Sequence, residues 1–158
     1  MKKSGTAFLE EPAITPTPDQ TNSPHCILVV DDDGDNRQLI VEVLTGSGYE
    51  VDGAKDGAAG WEALQANTYD LIITDNKMPR MTGVEIIERL RSAHMAVPVI
   101  MATRILPAHE FERKPWLRPD ATLQKPFSND DLLATVKNVL RTGDANNSHM
   151  KMLLPLYL

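Results

Sequence analysis

The chain has 158 residues, 42% of them hydrophobic, with a formal net charge of −6 and one cysteine, Cys26. That length suits a single domain with an ordinary buried core. The acidic balance without a basic stripe argues against nucleic-acid backbone binding, the lone cysteine excludes an intrachain disulfide, and no run approaches the roughly 18 apolar residues of a membrane span.

Taken in chain order, residues 1–24 carry Pro12, Pro16, Pro18 and Pro24 among Thr and Ser and read as a flexible N-terminal arm. Lys2 and Lys3 are not followed by an apolar stretch of the kind a secretory signal needs, so a cytoplasmic location is expected. Residues 27–30 are a continuous apolar run, as in a strand buried on both faces. Residues 36–44 place Leu39, Ile40, Val43 and Leu44 at helical spacing before Gly46 and Gly48. A strand over 49–54 and a helix over 56–67, with Trp61 and Leu64, come next. A third strand, 71–73, runs into Asp75. Then follow a helix over 84–93, a strand over 97–102, a short helix over 107–114 that Pro115 stops, and a strand over 121–123. Ser128 suits an N-cap, with Leu132, Leu133, Val136, Val139 and Leu140 on the buried side of the last helix. The domain therefore spans 25–142, followed by a tail over 143–158. Its residues 143–148 read as a polar spacer, and 151–158 are apolar enough to predict docking on the domain or a partner.

Five strands alternating with five helices predict an α/β fold, a doubly wound parallel sheet with right-handed crossovers. Sites in such sheets lie outside the carboxyl ends of the strands. Asp31, Asp32 and Asp33 follow the first strand, Asp75 the third, Thr103 the fourth and Lys125 the fifth. Clustered carboxylates repel and need neutralising, and a hard divalent cation with oxygen ligands does so. A lysine supplies a point charge for a phosphoryl oxygen, and a threonine hydroxyl a hydrogen bond. Together these groups suit phosphoryl transfer onto an aspartate.

Val30-Asp31-Asp32, Asp75-Asn76-Lys77-Met78-Pro79 with Gly83, Thr103, and Lys125-Pro126-Phe127 resemble, in order and spacing, the receiver domain of two-component response regulators. The resemblance covers about residues 26–141. It implies a flavodoxin-like (βα)5 sheet of order 2-1-3-4-5 and a cis Lys125–Pro126 peptide. It implies that Asp75 accepts a phosphoryl group from a histidine kinase or histidine phosphotransfer protein. Mg²⁺ would be held by Asp32, Asp75 and the Lys77 carbonyl, with Asp31 acting through water. Lys125 would hold a phosphoryl oxygen and Thr103 would swing to bond another. Such a protein is a signalling phosphoacceptor, not a conventional enzyme. No effector domain follows in this sequence, so output is expected through an unknown downstream protein, with a homodimer left open and no nucleic-acid or membrane partner.

Two positions depart from the family pattern. Thr122 stands where an aromatic is usual, three before the lysine, and Arg104 stands where a small residue usually follows the threonine. With the irregular stretch around Pro107, Pro115, Trp116 and Pro119, they motivate one alternative, a phosphorylation-independent pseudo-receiver that acts by interaction alone. An EF-hand reading of Asp31, Asp33, Asp35 and Glu42 fails because Asn36 occupies the glycine position and a strand precedes it. A phosphatase reading lacks a second acid two residues after Asp75, where Lys77 stands. Asp33 reads as solvated, His25, His94, His109 and His149 as surface residues, and Trp61 and Trp116 as packing residues.

Overall fold

Apolar runs too short for helices form strands here, and the amphipathic stretches between them form helices. The computed structural model describes the backbone of residues 23–153 and the side chains of residues 23–145. Strands β1 (Cys26–Val30), β2 (Glu50–Ala54), β3 (Leu71–Thr74), β4 (Val99–Thr103) and β5 (Ala121–Gln124) alternate with helices. These are α1 (Gly34–Gly46), α2 (Gly57–Ala66), α3 (Gly83–Ser92), α4 (Ala108–Arg113) and α5 (Asn129–Leu153). All pairings are parallel and the order is β2-β1-β3-β4-β5, the flavodoxin-like order expected.

β3 and β4 are buried throughout and β1 nearly so, whereas the edge strands β2 and β5 are largely solvent-facing. Side-chain alternation along the strands splits the core in two. Leu28, Val30, Ile72 and Met101 pack with Leu64 of α2, Ile87 and Leu90 of α3, and Phe111 of α4. Ile27, Val29, Ile73 and Ile100 point the other way, onto Ile40 and Leu44 of α1 and Leu132, Val136 and Leu140 of α5.

Helix starts follow local chemistry. Asp56 caps α2, Thr82 and Glu85 form a reciprocal capping box on α3, and Ser128 Oγ accepts from the Asp131 N–H at 3.0 Å. Asp33, expected to be merely solvated, caps α1 by accepting from the N–H groups of Asp35 and Asn36. The helix therefore begins two residues before the apolar periodicity does.

Other expectations need correction. Residues 143–148, read as a polar spacer, are helical rather than irregular. α5 runs through them to Leu153, because nothing from Asn129 to Leu153 removes a backbone donor, and one interior glycine costs only about 1 kcal/mol. Leu39 is 52% exposed and Trp116 61% exposed, so neither packs in the core. Trp116 sits in a 3-10 turn (Pro115–Leu117) that instead buries Leu117. β4 starts at Val99 rather than 97, since Pro98 has no N–H to give and contributes only its carbonyl, to the Ile72 N–H at 3.0 Å. The arm, up to residue 22, and the apolar end, in its side chains and beyond Leu153, lie outside the described residues. No helix among the described residues is long and apolar enough to cross a membrane.

Candidate functional site

Parallel strands present their carboxyl ends along one edge, so residues just beyond those ends meet there. Carboxylate oxygens of Asp31, Asp32 and Asp75 lie within 4.8 Å of one another. Lys125 reaches among them from beyond β5. Its Nζ donates to Asp31 Oδ2 at 2.8 Å and to Asp75 Oδ2 at 2.9 Å, with the side chain only 13% exposed.

The three acids are not equivalent. Asp31 is 2% exposed, Asp75 half-buried and Asp32 exposed. Burying a carboxylate costs several kcal/mol unless it is paired and hydrogen-bonded, and Asp31 is both. Its Oδ1 accepts from the Asp33 N–H at 2.9 Å and its Oδ2 from Asn36 Nδ2 at 2.7 Å, besides Lys125. Its carbonyl accepts from Arg37 Nη1 at 2.7 Å. Asp75 Oδ1 accepts from the Asn76 N–H at 2.6 Å.

Burial by itself would lower the pKa of Lys125. The hydrogen bonds and charges of Asp31 and Asp75 together outweigh it and hold the ammonium above its ordinary value. Lys125 is thus a permanent cation near neutral pH. Three carboxylates against one ammonium still leave two negative charges uncompensated. The more open acids, Asp32 and Asp75, face this excess with oxygen donors alone, as a hard cation such as Mg²⁺ requires, so the residues fit that ion.

The loop after Asp75 is tightly folded. The Gly83 N–H donates to the Asn76 carbonyl and the Val84 N–H to Asn76 Oδ1, both at 3.0 Å, while Met78 and Met81 are buried. A Cβ at Gly83 would sit 2.3 Å from the Asp75 carbonyl oxygen, so only glycine allows this return of the chain. Lys77 lies on this loop with its side chain exposed, and the Lys125–Pro126 peptide is cis.

Thr103 closes β4 beneath the site, 3% exposed. Its Oγ1 points to the Ile105 carbonyl at 3.5 Å, the limit of a hydrogen bond, so the hydroxyl is weakly held. Arg104 is exposed and makes no ion pair among the described residues, and Thr122 is exposed on the edge strand β5. Of the histidines read as surface residues, His94 and His109 are exposed, whereas His25 is half-buried, with Nε2 3.2 Å from Asp144 Oδ2. The side chain of His149 lies outside the described residues.

Asn36 and Arg37 are site residues to which sequence reasoning gave no role, and Asn76 was read only as part of the motif after Asp75. The available signal was an Asn-Arg pair one turn after an acidic run. Nothing in the sequence says which acid such a pair reaches, because that depends on how α1 leaves the sheet.

The family model for the response regulator receiver domain matches residues 27–137. The probable transcriptional regulatory protein SilR of Salmonella typhimurium is 36% identical over 118 residues, 75% of this chain and 52% of that protein. The chain spans about half the length of the first such regulators it matches. The chemotaxis protein CheY4 of Vibrio cholerae superposes with a TM-score of 0.68 at 31% identity, over 74% of this chain and 99% of that one. The response regulator TrrA of Thermotoga maritima, solved in complex with Mg²⁺-BeF, gives 0.65 at 31% identity, over 73% and 98%.

Proposed function

Because the chain belongs to the response regulator receiver family, a signalling family that works with histidine kinases, we propose that Asp75 is its phosphoacceptor. The observation that carries this reading is the shared ammonium. Lys125 lies within 2.9 Å of Asp75 and is anchored to Asp31, beside a third acid, Asp32, in a cluster whose remaining negative charge a divalent cation would neutralise. The donor is a phosphohistidine on a histidine kinase or phosphotransfer protein. An Asp75 carboxylate oxygen forms the bond to phosphorus. The donor nitrogen leaves with its electron pair and takes a proton from solvent.

Each neighbour has a task in that exchange. Lys125 moves from Asp75 Oδ2 to a phosphoryl oxygen while keeping Asp31 as its anchor. Thr103 gives up its weak bond to Ile105 and turns its hydroxyl to a second phosphoryl oxygen. Asp32, Asp75 and the Lys77 carbonyl would hold Mg²⁺, with Asp31 acting through water. When bound, the ion supplies positive charge opposite the transferring phosphoryl oxygens. The Mg²⁺-BeF complex of the Thermotoga relative supports the same ion here. The chain assists only the gain and hydrolytic loss of its own phosphoryl group, and its output passes by protein–protein contact to a downstream target.

The test is incubation of the chain with acetyl phosphate and Mg²⁺, followed by intact mass. One added phosphoryl group is expected in the native chain and none in Asp75→Asn, since an amide forms no acyl phosphate. Undiminished uptake in the variant refutes the assignment. No uptake by the native chain leaves a phosphorylation-independent interaction module.

A further inference from the structure

Asp31 is the most buried acid of the cluster, and its placement does not come from the metal or the lysine alone. The Asp31–Asp32 turn leaves β1 and must enter α1 within three residues. Two residues of the first turn of α1 reach back to it. Asn36 Nδ2 holds the carboxylate at 2.7 Å, and Arg37 Nη1 holds the backbone carbonyl at 2.7 Å. A backbone carbonyl held by a guanidinium fixes the peptide plane joining Asp31 to Asp32, and so the direction in which Asp32 leaves the chain.

Arg37 can lie this way because of β2. A Cβ built on Gly53 would stand 3.3 Å from Arg37 Cδ and 3.5 Å from Cγ, so the arginine stem rests on the bare backbone of that glycine. A glycine inside a strand is otherwise unfavourable, since it adds backbone entropy to the unfolded chain and packs nothing. β2 is an edge strand, and Gly53 is solvent-exposed on it, on the α1 side of the sheet with Val51. Gly53 belongs to neither half of the core, so its lack of a side chain is not explained by packing there. What it makes is a channel for Arg37.

We infer that Arg37, seated on Gly53, is a positioning residue that sets the Asp31–Asp32 turn so that Asp32 faces the cation. The inference rests on the reading that Asp32 and Asp75 hold Mg²⁺. Arg37 touches neither the ion nor the phosphoryl group and acts through the Asp31 carbonyl. Arg37→Ala frees that peptide, and Gly53→Val displaces the arginine stem while Arg37 itself remains. The two variants should therefore weaken the same property by the same route.

The property is Mg²⁺ affinity, measured by calorimetry on the full chain with no phosphodonor present. Arg37→Ala should weaken binding about tenfold, the low end for a residue supporting a metal ligand from behind, and Gly53→Val at least about threefold. The double variant should be no weaker than Arg37→Ala alone. Thermal melting separates positioning from simple damage. Valine's strand propensity offsets part of the lost Arg37 hydrogen bond, so Gly53→Val should melt closer to the native temperature than Arg37→Ala does while still binding Mg²⁺ less well. A purely structural role would move affinity and stability together. Native-like Mg²⁺ affinity in Gly53→Val, or an additive loss in the double variant, overturns the proposal. Failure of the native chain to bind Mg²⁺ overturns the cation reading itself and this inference with it.

Discussion

Lys125→Met removes the one positive charge from the acidic cluster while keeping a side chain of similar length. Three carboxylates with oxygens within 4.8 Å of one another then face each other uncompensated. At that separation each pair repels by about 3.5 kcal/mol at an effective dielectric constant of about 20. Removing one partner of a buried ion pair typically costs about 3–5 kcal/mol. Asp32 is exposed and Asp75 only half-buried, so water and small shifts relieve part of this, and the expected loss without divalent cation is about 2–3 kcal/mol. For a domain of this size that is a fall in melting temperature of about 8–12 °C. Mg²⁺ replaces positive charge in the same place, and by linkage it stabilises the form that binds it. The gap between native and variant melting temperatures should therefore narrow as Mg²⁺ is added. The assay is thermal unfolding followed by circular dichroism, with chelator and with saturating Mg²⁺. A variant melting within about 2 °C of the native chain in chelator would show that Lys125 does not restrain the cluster. A gap unchanged by Mg²⁺ would show that the cation does not enter it.

Asp32→Asn should raise the melting temperature in chelator by removing one of the three like charges, and should weaken Mg²⁺ binding in calorimetry; unchanged affinity would show that Asp32 is not a ligand. Arg104→Ala should speed loss of the phosphoryl group about tenfold, corresponding to about 1.4 kcal/mol, because the exposed guanidinium beside Thr103 can pair with a phosphoryl oxygen and its bulk hinders the attacking water. Equal half-lives after donor removal would make Arg104 a bystander. Tyr69 is pushed up to about 12 by burial and then by its 2.7 Å hydrogen bond to Asp52. The folded value exceeds that of the unfolded chain, about 10, so the folded state keeps a proton that the unfolded state loses. The resulting stability is fully present below about pH 10 and is lost as pH rises to about 12. Solvent at the exposed Asp52 limits it to about 1–2 kcal/mol. In urea unfolding the advantage of the native chain over Tyr69→Phe should shrink across that window, and a constant difference would refute the coupling.

Periodicity along the chain carried the strand and helix order, because a strand buried on both faces must be apolar throughout and a helix packed on a sheet must repeat its apolar face. The four separated motifs around Asp31, Asp75, Thr103 and Lys125 were legible for a related reason. In a parallel sheet every strand ends on the same edge, so residues at strand ends meet however far apart they lie in sequence. Details that depend on the path of a single turn were not legible. Asp33 caps α1 rather than facing water, since the acid nearest the first free N–H groups takes them, and composition does not say which acid that is. α5 crosses a polar stretch because hydrogen bonds along its backbone, not apolar spacing, carry a helix onward. Leu39 and Trp116 are apolar yet exposed, since burial depends on whether a neighbouring element covers the face they occupy. The grip of Asn36 and Arg37 on Asp31 needed the tertiary structure most. It requires the first turn of α1 to lie over the end of β1 and a bare glycine on β2 to make room, a meeting of three segments that no local pattern encodes.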